Sequence, residues 1–138
     1  RRQRQMCIRD SYSIPRKPNI SGRTRSPVLV LNNGYEIPVL GLGTYSLLND
    51  ECVDSVYTAI KSGYRLIDTA YMYHNEKEVG EGVRKAINER LVTRDEMFIT
   101  TKLYPNQYAN PEVAIADALE ALDLDYIDLM LLHADRTA

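Results

Sequence analysis

From Val28 onward the chain alternates between short apolar runs and longer stretches of helical periodicity. VLVLNNGYEIPVLGLGT sets two apolar runs either side of Asn33-Gly34, a dipeptide that readily takes the positive φ angles of a tight turn, and so predicts a β-hairpin. Pro38 removes a backbone donor from the second arm and works against its full pairing. In NDECVDSVYTAIKSGY the apolar residues Val53, Val56, Tyr57 and Ile60 recur at helical spacing, with Asn49 or Asp50 able to cap the start and Gly63 able to end it. The strand RLIDTA follows, and then EKEVGEGVRKAINER, a helix with Val79, Val83 and Ile87 on one face. The strand MFITTK comes next. NPEVAIADALEAL opens with Asn-Pro, as a helix with proline at its first position does, and carries Ile115, Leu119 and Leu122 on its apolar face. YIDLMLLH closes the series as a strongly apolar strand.

Strands that are apolar on nearly every residue, separated by amphipathic helices, point to a parallel sheet covered by helices. Three of the apolar runs end in an ionisable residue: Asp68, Lys102 and His133. The intervals are 34 residues from Asp68 to Lys102 and 31 from Lys102 to His133, about one strand-helix unit each. Successive parallel strands therefore deliver an aspartate, a lysine and a histidine at their carboxyl ends, where α/β folds place their chemistry whether the sheet is open or closed into a barrel. Any one of them alone reads as a cap or a surface charge; on neighbouring strands they make a candidate site.

GYRLIDTAYMYHNE adds a fourth member. Tyr73 lies five residues beyond Asp68, in the loop after the strand. With the two strands adjacent, the Asp68 carboxylate can reach the Lys102 ammonium, and Tyr73 can sit beside that ammonium. A phenol ionises near pH 10 in water, and a neighbouring positive charge favours its ionised form and makes it a better proton donor. The imidazole of His133 can hydrogen-bond a substrate oxygen at the same point. Such a group suits protonation of a developing alkoxide.

These segments resemble the aldo-keto reductase family. GYRLIDTAYMYHNE is similar to the family's signature around its aspartate and tyrosine, FITTKL to its lysine strand, DYIDLMLLH to the strand ending in its histidine, and NNGYEIPVLGLGTY to its opening hairpin and first barrel strand. The resemblance implies a (β/α)8 TIM barrel with a hairpin at its amino-terminal end, of which this chain carries the hairpin and about the first four strands. It implies reduction of aldehydes or ketones with NADPH, less often NADH. By the same resemblance Tyr73 would be the general acid, Lys102 would favour its ionised form, Asp68 would hold Lys102, and His133 would orient the carbonyl. Gly43, Thr44 and Tyr45, together with Asp68, would lie at the nicotinamide end of the cofactor.

Length qualifies this picture. A barrel of this kind needs roughly 250 residues, and the 138-residue chain ends in HADRTA after its fourth barrel strand, where the family commonly has a proline within two residues of the histidine. The expectation is the amino-terminal half of an enzyme, residues 27–138, with little activity on its own, because the family keeps most cofactor and substrate contacts in the other half.

Charge and composition change the picture mainly at the amino terminus. The net charge of −2 conceals +7 over residues 1–25 and −9 over the rest. A basic arm could bind nucleic acid. Residues 1–26, however, show no helical or strand period, are broken by Pro15, Pro18 and Gly22, and open on RRQRQMCIRDS, which resembles translated sequencing-adapter sequence. They are read as a disordered or non-native arm, and no nucleic-acid partner is expected. No apolar run approaches the roughly 20 residues a bilayer demands, so no membrane partner is expected either. Cys7 and Cys52 suggest neither a disulfide framework nor a metal site, which makes a reducing, cytoplasmic setting the default. The expected partner is a small-molecule carbonyl compound; oligomeric state is not legible.

Two rival readings remain at this level. GLGTYS after a strand, with Asp68 at a suitable distance, is also the start of a pattern found in open dinucleotide-binding sheets, but Ser46 replaces the third glycine and Leu47 to Asp50 separate the turn from the helix. The other is a non-catalytic binding module built on the same barrel, against which the presence of all four of Asp68, Tyr73, Lys102 and His133 argues.

Overall fold

In a computed structural model, which describes residues 27–134, the predicted alternation resolves into a two-stranded hairpin followed by four parallel strands with three helices between them. The basic arm, with Cys7, lies outside the described residues, as do residues 135–138. The hairpin is formed by β1 (Val28–Val30) and β2 (Glu36–Pro38), paired antiparallel with Val30 opposite Glu36. Its loop is longer than a two-residue turn: Leu31 N–H donates to Tyr35 O, and only Gly34 of the Asn-Gly pair takes a positive φ, of 82°. Asn33 instead accepts the Tyr35 N–H through Oδ1. Pro38 ends the arm, where its missing donor is harmless.

The main sheet runs β3 (Leu42–Gly43), β4 (Leu66–Asp68), β5 (Phe98–Leu103) and β6 (Leu129–Leu132), in that spatial order and all parallel. Helices α1 (Asn49–Lys61), α2 (Glu76–Asn88) and α3 (Pro111–Leu122) connect them. Each helix buries one face: Val56 and Ile60 from α1, Val79 and Val83 from α2, and Leu122 from α3 pack with Ile67 of β4, Ile99 of β5 and Met97 just before it. Strand alternation then assigns the two sides of β5. Ile99 and Thr101 face the helices, while Thr100 and Lys102 belong to the other side, where the candidate site forms.

Two glycines allow α2 to approach its neighbours closely. A Cβ on Gly80 would overlap Leu122 O at the end of α3, and one on Gly82 would stand 2.8 Å from Val53 O of α1. Helix α1 ends as its sequence suggests, with Gly63 at φ 101°, but Leu48 occupies the cap position and no side chain caps it. Among the described residues no helix is long and apolar enough to cross a membrane, and no group of side chains could hold a metal ion.

Candidate active site

The carboxyl ends of β4, β5 and β6 bring the sequence-predicted residues together. Asp68 is the last residue of β4 and Lys102 the penultimate residue of β5. His133 immediately follows β6, and its N–H donates to Leu103 O, which extends the β5–β6 ladder to the histidine itself. Tyr73 closes the 3₁₀ turn Tyr71–Tyr73 after β4. Its return toward the sheet is followed by His74 in the left-handed region, φ 54°.

Lys102 is the centre of the group. Its Nζ donates to Asp68 Oδ2 at 2.7 Å, to Thr69 O at 2.9 Å and to Tyr73 Oη at 3.2 Å, so the three hydrogens of the ammonium have three partners. The lysine side chain is only 12% exposed, whereas that of Asp68 is 37% exposed and retains access to solvent. An ammonium at this depth is tolerated because it is paired and fully hydrogen-bonded. The Tyr73 ring makes T-shaped contacts with Tyr45, at 5.2 Å between ring centroids, and with His133, at 5.5 Å. Tyr104 stands 6.2 Å beyond the histidine. Nδ1 of His133 is buried and has no hydrogen-bond partner among the described residues.

The β3 loop borders this group. Gly43 is the register partner of Asp68, and a Cβ placed on it would meet nothing within 4 Å. Thr44 is buried, its N–H and its hydroxyl both donating to Asp68 O, at 3.0 and 3.2 Å. Tyr45 is 73% exposed. The space above Gly43, the exposed ring of Tyr45 and the part-exposed carboxylate of Asp68 leave this border of the group open.

A layer of buried polar residues supports the site, and sequence reasoning left it unassigned. Asn75 Nδ2 donates to Thr44 O at 2.7 Å and Leu47 O at 2.8 Å, and Thr69 Oγ1 donates to Asn75 Oδ1 at 2.9 Å. Glu76 accepts a 2.5 Å hydrogen bond from Thr101 Oγ1, and burial pushes its carboxyl above the usual range despite that bond. The signal for both was their place just beyond Tyr73 and His74, where an Asn-Glu pair at a helix start also passes for ordinary capping.

A model of the Aldo/keto reductase family matches residues 39–138, which is most of the chain. The chain belongs to this family. Aldo-keto reductases similar to it include an NADH-dependent D-xylose reductase of Candida parapsilosis, 51% identical over 116 residues that make up 83% of this chain and 36% of that protein. The NAD(P)H-dependent D-xylose reductase I,II of Candida tropicalis is 50% identical over 109 residues, 78% of this chain and 34% of that protein. Among solved structures, an aldo-keto reductase of Bombyx mori in complex with NADP superposes with a TM-score of 0.70 at 43% identity, covering 78% of this chain and 38% of that one. The chain thus spans about a third of the length of the curated relatives it matches. Hairpin and parallel sheet are the amino-terminal part of the family's TIM barrel, as the resemblance of the motifs implied; the alternating pattern by itself pointed only to a parallel sheet covered by helices.

Proposed function

We propose that a complete barrel carrying this segment reduces aldehydes or ketones to alcohols, with Tyr73 as general acid and NADPH or NADH as cofactor. The observation that carries this reading is the position of Lys102 Nζ between Asp68 Oδ2 and Tyr73 Oη. The nicotinamide, when bound, supplies the hydride that the carbonyl carbon gains. Gly43, Thr44, Tyr45 and Asp68 would hold its riboside end; the space over Gly43 is what supports that placement.

Everything else in the reaction falls to side chains of this chain. The Tyr73 hydroxyl gives its proton to the carbonyl oxygen as charge develops there, and the O–H bond of the product alcohol replaces that of the phenol. The negative charge left on Tyr73 Oη faces, at 3.2 Å, an ammonium whose side chain is only 12% exposed. A charge pair of this kind is worth far more at such a site than in bulk water. Asp68 holds the ammonium in place and compensates its burial. His133, in T-shaped contact with Tyr73, is the second donor available to the carbonyl oxygen and orients it.

The named activities of the relatives make an open-chain aldose such as D-xylose the first substrate to try. Within the full-length protein, Tyr73→Phe should lower kcat by about 10²- to 10⁴-fold while leaving the dissociation constant for NADPH nearly unchanged. Turnover that survives the substitution overturns the assignment. The 138 residues by themselves should show little turnover, since Leu131 and Leu132 of the edge strand β6 are exposed where the barrel would continue; robust NADPH-dependent activity of the isolated chain would refute that.

A further inference from the structure

Asn75 occupies the cap position of α2, yet its side chain makes no capping bond to the helix. An asparagine there ordinarily accepts a hydrogen bond from a free N–H of the first turn. Instead the side chain is turned inward and is 1% exposed. Its three hydrogen bonds all go to loops that border the site: two to the β3 loop at Thr44 O and Leu47 O, and one from Thr69 in the β4 loop.

We propose that Asn75 is a positioning residue that fixes the Tyr73 hydroxyl relative to the Gly43–Leu47 loop. The assignment rests on the reading of this site as a carbonyl reductase. The chemistry of the partners dictates the orientation of the amide. Carbonyl oxygens only accept, so Nδ2 must face Thr44 O and Leu47 O, and the hydroxyl of Thr69 is left to meet Oδ1. No other side chain of this size offers two donors and an acceptor in that arrangement. Aspartate, its isostere, would set a carboxylate oxygen against two carbonyl oxygens, at positions now 2.7 and 2.8 Å away.

The network also reaches Lys102. Thr69 donates to Asn75 through its hydroxyl and accepts from Lys102 Nζ through its carbonyl, so one residue ties the amide to the ammonium. Tyr73 lies two residues before Asn75, with the left-handed His74 between them. A displacement of Asn75 is therefore transmitted to the phenol across two peptide units. The same displacement releases the β3 loop, where the nicotinamide riboside is proposed to lie. One amide thus sets the distance between proton donor and cofactor loop, and a misplacement of about 1 Å can lower a rate about 100-fold.

The test uses the full-length enzyme and compares wild type with Asn75→Asp, Thr69→Val, Thr69→Ser and Tyr73→Phe. Three quantities are read below each variant's melting transition: kcat, the NADPH dissociation constant by fluorescence titration, and hydrogen exchange of the peptide spanning residues 44–48 without cofactor. Asn75→Asp is expected to lower kcat by about 10- to 100-fold, weaken NADPH several-fold and speed exchange at 44–48. A folded Asn75→Asp enzyme with wild-type kcat and NADPH affinity, changed only in melting temperature, overturns the proposal. If Asn75→Asp does not fold, the Thr69 pair decides: a loss in Thr69→Val that Thr69→Ser largely restores supports it, and no loss overturns it. Retained turnover in Tyr73→Phe would instead sink the proton-donor reading, while NADPH affinity and exchange still judge the hold of Asn75 on the β3 loop.

Discussion

Lys102 Nζ and Tyr73 Oη lie 3.2 Å apart, although one residue belongs to a strand and the other to a short turn 29 positions earlier. The phenol is in turn the only one of the ammonium's three partners that can give up a proton to a substrate. Lys102→Met keeps the apolar stem and removes the charge, so the phenolate that the proposed proton transfer would leave on Tyr73 loses its nearest cation. In the full-length protein kcat with an aldose should fall by about 10²-fold or more, and NADPH affinity should change little, because Asp68 is part-exposed and can be solvated once its partner is gone. Steady-state kinetics beside a fluorescence titration checks both halves; a wild-type kcat would remove Lys102 from the mechanism.

Gly80 tests the packing beneath the site. Alanine is ordinarily preferred over glycine within a helix, by about 1 kcal/mol. Here its methyl carbon would overlap Leu122 O, a clash no rotamer can relieve because both atoms are fixed to backbone. The helices must separate, and overpacking of that kind costs about 1–3 kcal/mol or more. Gly80→Ala should therefore destabilise, against its helix propensity. Urea denaturation that shows a stabilised variant would mean that α2 and α3 are not held this closely.

Cys52 of α1 is wholly buried, and burial together with the nearby carboxylates of Glu78 and Glu51 pushes its thiol up to about 11. Since the thiolate is the reactive form, only about one thiol in a thousand is ionised at pH 8. Iodoacetamide at that pH should leave Cys52 unmodified in the folded protein and alkylate it in denaturant. Mass spectrometry of the Cys52 peptide, which is separate from that of Cys7, reads the result, and rapid alkylation under native conditions would contradict the burial.

What was legible in the sequence follows from periodicity. The strand ends near Asp68, Lys102 and His133 could be located because the apolar runs stop there, and parallel pairing of β4, β5 and β6 then brings those ends together. The support was not legible. Asn75 sits where an asparagine normally caps, and only the folded chain reveals that Thr44, Leu47 and Thr69 claim its side chain. The same contacts bear on the cap expected from Asn49 or Asp50: the chain entering α1 is held at Leu47 O from across the site, and Leu48 takes the cap position. Tyr104, beside His133, could not be told from the other tyrosines, ten in all, because aromatic rings carry no mark of which neighbour they will meet.

At the opposite end of the sheet, Arg94 and Asp128 form a deeply buried ion pair, 2.7 Å apart with side chains 14% and 7% exposed. Arg94 also donates to Met97 O and Tyr126 O and lies over the Tyr126 ring, while Asp128 accepts the Ile99 N–H, so the pair joins the start of β5 to the start of β6. Burial raises the Asp128 carboxyl above its usual range, and the guanidinium opposes that rise. Arg94→Met removes the opposition and leaves a buried carboxylate with no cation. Breaking such a pair costs about 3–5 kcal/mol. The sign of its pH dependence follows from the raised folded value: the folded state then holds the proton more tightly than the unfolded one, so stability is greatest below the unfolded carboxylate range and is lost as pH rises through the folded value. The deficit of Arg94→Met relative to wild type should accordingly be largest at neutral pH and shrink on acidification, as Asp128 takes up a proton. Urea denaturation of both proteins at pH 7 and pH 5 measures it, and a deficit that stays constant or grows toward pH 5 would show that the aspartate is not the charge left exposed by the substitution.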